Sequence, residues 1–170
     1  MKQLRLLGFF TFLLFGFSCE RETEQQATRH RIAFYTLVDN QKNTADACLI
    51  DLTQLKIAEA LLTDEDLLAY RASGHDFTLT AAGVNKLKNI KSKTPFCLKV
   101  DDQLVYTGFL MPGYLSLACS GIIIDPISYA NNTIAVRLNY TAASSRHLIK
   151  DLRNNAVLLK ALEEQGKLRR

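Results

Sequence analysis

Phe96-Cys97-Leu98-Lys99-Val100-Asp101-Asp102-Gln103-Leu104-Val105-Tyr106-Thr107-Gly108-Phe109-Leu110 is the stretch on which the fold turns. Phe96, Leu98 and Val100 alternate with Cys97 and Lys99, the period of a strand with one buried face. Asp101-Asp102 supplies a two-residue turn, and residues 103–110 return as the partner strand, so the segment predicts a β-hairpin. The turn has no glycine. Asp102, at its second position, is expected to take the positive φ that Asp tolerates better than most residues.

Downstream, Met111-Pro112-Gly113 breaks the return strand, Ile122-Ile123-Ile124 reads as a strand ended by Asp125-Pro126, and Ile134, Val136, Leu138 and Tyr140 share one face of another. Ser145 can cap a last helix with Leu148, Leu152, Ala156, Leu159 and Leu162 on one face, and Gly166 is placed to end it. Upstream, residues 32–38 and 47–52 read as strands. Thr63-Asp64-Glu65-Asp66 has the spacing of a capping box, which predicts a short helix to Tyr70. Residues 77–80 alternate as a strand, and Thr80 can cap a helix over 81–89 that buries Val84 and Leu87. The order predicts the α+β class, a sandwich-like domain over residues 31–170. Its sheet is mixed or antiparallel, of about six strands, packed with two or three helices.

Composition agrees with one globular domain. Of 170 residues, 48% are hydrophobic and 22% charged, with eight Gly and three Pro, which excludes disordered and collagen-like chains. The formal charge of +4 falls to +2 without Lys2 and Arg5. That balance gives nucleic acid no basic surface to meet, and no nucleic-acid partner is expected.

Residues 1–18 read as a signal peptide: Lys2 and Arg5, then a twelve-residue apolar run from Leu6 to Phe17. The run is short of the ~20 residues that a permanent transmembrane helix needs. Gly16-Phe17-Ser18-Cys19-Glu20 resembles the lipobox of bacterial lipoproteins in the relaxed form common in Bacteroidetes. The resemblance implies that Cys19 becomes the lipidated first residue, anchored in the cell envelope at the outer membrane with the leaflet left open. Residues 20–30 hold no aromatic and no aliphatic residue larger than Ala, so 19–30 is expected to be a lipidated Cys and polar tether. The acidic start after Cys19 resembles a surface-export signal, with Arg21 interrupting it.

Three segments carry a second resemblance: Leu62-Thr63-Asp64-Glu65-Asp66-Leu67, Phe77-Thr78-Leu79-Thr80-Ala81-Ala82-Gly83-Val84-Asn85-Lys86-Leu87, and the hairpin from Pro95 to Val105. Together they resemble the periplasmic head subdomain of the SecD protein-export subunit. Asp102 stands where that hairpin usually has Gly, and the chain has none of the export subunit's transmembrane helices. The resemblance implies a fold and a habit of contacting other polypeptides, with no role in the export motor.

No catalytic motif is present. The histidines are His30, His75 and His147, without a paired His or Cys-x-x-Cys spacing, so neither metal nor cofactor is expected. His75-Asp76 beside Ser73-Gly74 could begin a hydrolase site but lacks a Gly-x-Ser-x-Gly elbow, and a turn histidine is the plainer reading. Asp101-Asp102 is accounted for by turn chemistry. Phe109, Met111 and Tyr114 flank the Pro-Gly break and read either as core or as an outward docking patch. Lys167 and Arg169 read either as a solvated face or as cations that touch anionic headgroups beside the lipid anchor. Cys48, Cys97 and Cys119 read as small buried hydrophobes. If one bridge forms, Cys97–Cys119 is the pairing expected, from neighbouring strands.

The expected function is a lipid-anchored envelope interaction module without catalytic activity, with the membrane and another polypeptide as partners. The alternatives are an envelope hydrolase around His75 and an immunity or inhibitor lipoprotein. On this reading Cys19→Ala abolishes palmitate incorporation and moves the protein out of the membrane fraction. Equal labelling of variant and wild type would contradict it.

Overall fold

The computed structural model describes residues 29–38, 50–113, 120–126, 130–139 and 149–170. Cys19, Cys48, Tyr114, Cys119, Tyr140 and His147 lie outside them, as do the leader and residues 19–28.

The hairpin forms as β5 (Thr94–Val100) and β6 (Gln103–Leu110), with Phe96, Leu98 and Val100 buried. The positive φ falls on Asp101 (52°) and not on Asp102 as expected. Asp101 is held there by the Arg31 backbone, whose N–H donates to Asp101 Oδ1 at 2.9 Å while the Asp101 N–H donates to the Arg31 carbonyl at 2.7 Å. Two well-made bonds offset the cost of a left-handed non-Gly residue.

Around the hairpin the chain adds β1 (Ile32–Leu37), β2 (Ile57–Leu62), β3 (Leu67–Arg71), β4 (Asp76–Leu79), β7 (Gly121–Ile124), β8 (Thr133–Asn139) and β9 (Leu168–Arg169). The helices are α1 (Ala81–Leu87) and α2 (Ala156–Glu164). The α+β class is as expected, but among the described residues the sheet has nine strands and not about six, in the order β2-β1-β5-β6-β7-β8-β4-β3-β9. β6–β7 and β3–β9 pair in parallel and the rest antiparallel.

β8 belongs to two sheets at once. Its first half, through Ala135, pairs with β4, and its second half, from Val136, pairs with β7. A strand that changes partners midway turns a corner. The two parts therefore face each other: Phe34 of β1 meets Phe77 of β4 at 5.3 Å between ring centroids, edge to face at 85°. Phe96 and Tyr70 extend this aromatic layer, against Phe34 at 5.8 Å and Phe77 at 4.4 Å. Each helix touches a strand from either side of the corner, α1 against β2 and β4, α2 against β5 and β9.

The helix expected from Thr63 is absent. Asp66 makes the carboxylate half of a capping box, accepting from the Thr63 N–H at 2.9 Å and its hydroxyl at 3.2 Å. The chain then leaves as β3, because Leu67 and Tyr70 are buried by pairing with β4 and β9. Tertiary pairing outweighs a local cap here. The strand expected over 47–52 is reduced, within the described residues, to an isolated bridge at Ile50 and a short 3-10 turn, Leu52–Gln54. At the other end, the expected cap Ser145 and Leu148 lie outside the described residues, and α2 is capped at Asn155, ten residues further on. Asn155 accepts from the Val157 N–H at 2.9 Å, and just before it Asp151 holds the Arg153 guanidinium at 2.9 and 2.7 Å in a turn. Thr80 caps α1 as expected, accepting from the Gly83 N–H at 3.0 Å. Gly166 (φ 68°) ends α2 in a Schellman motif, with Lys167 N–H to Leu162 O at 2.8 Å and Gly166 N–H to Glu163 O at 2.9 Å.

Asp66 also joins the β2–β3 turn to α1. Its carboxylate accepts from Lys86 Nζ at 2.7 Å and its carbonyl from the Thr80 N–H at 2.9 Å. Burial works to raise the Asp66 carboxyl pKa, but Lys86 and Thr63 outweigh it and hold the group below its ordinary value. Its contribution to stability is therefore present above the ordinary carboxylate pKa and is lost as pH falls through the lowered one. A Cβ on Gly83 would lie 3.0 Å from Asp66 Cβ, so the helix approaches the turn as closely as a glycine allows. Asp66→Ala is expected to cost about 3 kcal/mol in denaturant unfolding, because it strands Thr63 and Lys86. Gly83→Ala is expected to destabilise despite the up to ~1 kcal/mol that Ala gains over Gly in a helix. A more stable Gly83→Ala variant would refute this packing.

Candidate functional site

The registers Phe109↔Ile123 and Ile123↔Arg137 put three side chains in one row across β6, β7 and β8. The row lies on the face turned away from the aromatic layer. Phe109 and Met111 pack there with Ile50 and Ile123 as a small second core. The chain past β6 stays beside β7, with the Met111 N–H donating to the Ile124 carbonyl at 2.8 Å. Pro112-Gly113 thus breaks the chain one residue after the ladder and not within it. The outward docking patch fails for Phe109 and Met111, which are 3% and 5% exposed and face inward; Tyr114 lies outside the described residues.

Beside this core is a cavity of about 260 Å³ lined by Met111, Pro112, Ile123, Asp125, Arg137 and Asn139, among others. Asp125 is buried and accepts from the Gly113 N–H at 2.9 Å. A Cβ on Gly113 would come within 2.7 Å of that carboxylate, so the glycine is what lets the loop close over it. Arg137 is exposed and forms no ion pair with any described residue. The cavity therefore has an apolar floor of Met111 and Ile123 and a guanidinium at its rim.

The other expected sites are taken up by structural bonds. Asp76, almost fully buried, accepts from Arg71 Nε at 2.9 Å and Nη2 at 2.6 Å. His75, at a left-handed φ of 51°, sits 3.3 Å from Asn154 Oδ1 through Nδ1. Asp76 lines a groove of about 310 Å³ with Arg71, Thr78, Thr133 and Arg169, and His75 does not. Among the described residues, no serine or cysteine lines that groove. The two residues of the hydrolase alternative thus stand side by side in sequence with separate partners. No group of three or more His, Cys, Asp or Glu side chains with metal-site geometry occurs among the described residues.

Lys167 does not face outward as a headgroup contact would. Its ammonium donates to the Asp64 carbonyl, and burial lowers its pKa. Arg169 curls onto its own chain, donating to the Gly166 and Leu168 carbonyls at 2.9 and 3.0 Å. Cys97 is a free, fully buried thiol that burial pushes up to about 11; Cys119, its expected partner in a bridge, lies outside the described residues.

Sequence reasoning misplaced Arg29 and His30, which the tether was expected to include. Arg29 pairs with Asp64 at 2.9 Å, and His30 bonds to Asp101 and Glu164. Their neighbours in sequence are polar and periodicity is silent there. The local sign was that they stand two and three residues before β1. Comparison with family models, curated proteins and solved structures found no match to this chain.

Lys167→Ala is expected to lower unfolding stability by about 1–2 kcal/mol through loss of a charged hydrogen bond to a part-buried carbonyl. Arg169→Ala should stay within about 0.5 kcal/mol. Equal denaturant midpoints for the two variants would show that Lys167 does not pin the β2–β3 turn.

Proposed function

We propose that this protein is a lipid-anchored interaction module of the bacterial cell envelope that holds another polypeptide at the cavity beside Met111. In this reading Cys19 carries the lipid, the polar run after it is the tether, and the outer membrane is the site of anchoring. The observation that carries the binding role is Arg137, an exposed guanidinium without an ion pair among the described residues, at the rim of an apolar floor. Arg offers a planar fork suited to carboxylates, and apolar surface beside it favours a partner segment with an acidic group next to an apolar side chain.

The resemblance of residues 62–126 to the export subunit's head subdomain supports the same class of partner. A role without catalysis is part of the proposal. What supports it is that Asp76 and His75, the residues with the best claim to chemistry, are engaged by Arg71 and Asn154.

The test is site-specific photo-crosslinking in cells, with a benzophenone side chain placed at the exposed Asn139, which lines the cavity and leaves Arg137 in place, or, as a control, at the exposed Leu68 on β3. A discrete protein adduct is expected from position 139 alone, and it should be lost when Arg137→Glu reverses the charge or Cys19→Ala removes the anchor. Equal adducts from both positions, or none from 139, would contradict the reading.

A further inference from the structure

His30 stands two residues before β1, and both of its ring nitrogens meet carboxylates. Nδ1 lies 2.8 Å from Asp101 Oδ2 and Nε2 lies 2.6 Å from Glu164 Oε2. An ionised carboxylate only accepts, so both nitrogens must donate and the ring is an imidazolium. Backbone bonds reinforce the position. Gln165 Nε2 donates to the His30 carbonyl, and Arg31 exchanges the two bonds with Asp101 already described. Residues 30 and 31 thereby strap the β5–β6 turn to the end of α2. The strap borders a cavity of about 430 Å³ whose apolar lining is Val100, Val157 and Ala161.

The charged groups around the ring are few. The turn contributes Asp101 and Asp102, and α2 contributes Glu164 and Lys160, the latter 3.8 Å from Glu164. On the strap itself Arg31 pairs with Asp102 at 3.1 Å, and Lys99 of β5 reaches the same carboxylate at 3.9 Å. Asp102 is thus balanced by its own cations, Glu164 has the exposed Lys160 at 3.8 Å beside the closer His30, and Asp101 has His30 as its ion-pair partner among the described residues.

We propose that His30 is a protonation-controlled latch, closing the strap against α2 while the ring carries both protons and releasing it when one is lost. A neutral imidazole donates from one nitrogen only, so it can hold Asp101 or Glu164 but not both, and its lone pair faces a carboxylate oxygen. Asp101 keeps the Arg31 N–H, so the contact that opens is the one to Glu164. The bonds to Asp101 and Glu164 raise the His30 pKa above its ordinary 6.5. The latch's stabilisation is therefore complete below pH 6.5 and is lost as pH rises through the raised value. The Arg31 N–H and His30 hold Asp101 below its ordinary 3.8, so the latch stays closed through mildly acidic conditions.

The test is an NMR titration of the full chain in detergent micelles from pH 5.5 to 9, with His30→Gln assigning the ring signals. The His30 midpoint should lie above 6.5, with both nitrogens protonated below it. Cross-peaks between the His30 ring and the Glu164 side chain should weaken as pH rises through that midpoint, while the Arg31 and Asp101 amides keep their protection. Glu164→Gln should lower the midpoint. A wild-type midpoint at or below 6.5, or His30–Glu164 cross-peaks that do not change with pH, would overturn the latch.

Discussion

The meeting of Phe34 with Phe77 is the constraint from which the rest of this architecture follows. Their strands, β1 and β4, stand five places apart in the sheet, which in a flat sheet would separate them by about 24 Å. Ring centroids 5.3 Å apart require the sheet to fold onto itself. β8 makes that fold by giving its first half to β4 and its second half to β7. The enclosed face collects the aromatic layer, and β2 and β3, at far ends of the strand order, come near enough for a four-residue turn to join them. Asp66 then fastens that turn to α1, which explains why the residues around Thr63 and around Gly83 are seen together.

A second regularity concerns the buried carboxylates. Asp66, Asp76 and Asp125 lie 4%, 6% and 9% exposed, and each side chain lies within 3.0 Å of where a Cβ would stand on a neighbouring glycine: Gly83, Gly74 and Gly113. A short side chain accepting hydrogen bonds at a chain reversal needs such close backbone, and burial is tolerable only when the group is paired. These acids serve the turns. The binding role proposed above rests instead on Arg137, beside the second core.

Most of the fold's middle could be read from the residues. The hairpin, the Thr80 cap, Ile122-Ile123-Ile124 and the alternation at Ile134, Val136 and Leu138 all express local periodicity, and each appears where it was expected. The losses have a common cause, which is that pairing over long sequence distances leaves no local mark. Leu67-Leu68-Ala69-Tyr70 has helix-forming composition and a cap before it, yet its partners are β4 and the last residues of the chain. β9 has two residues, too few to show any period. The site fared similarly: Met111 was legible as part of an unusual segment, but its direction was fixed by a parallel pairing with β7. Arg137 gave no sign beyond being the polar member of an alternating strand, and His30 none beyond its place before β1.

The folding of the sheet onto itself is most directly tested by aromatic nuclear Overhauser spectroscopy on the full chain with selectively labelled phenylalanine. Cross-peaks between the Phe34 and Phe77 rings, accompanied by Phe77–Tyr70 and Phe34–Phe96 cross-peaks, are the expected result. Cross-peaks confined to Phe34–Phe96 and Phe77–Tyr70, with none between Phe34 and Phe77, would mean that the two halves do not face each other and would contradict the account.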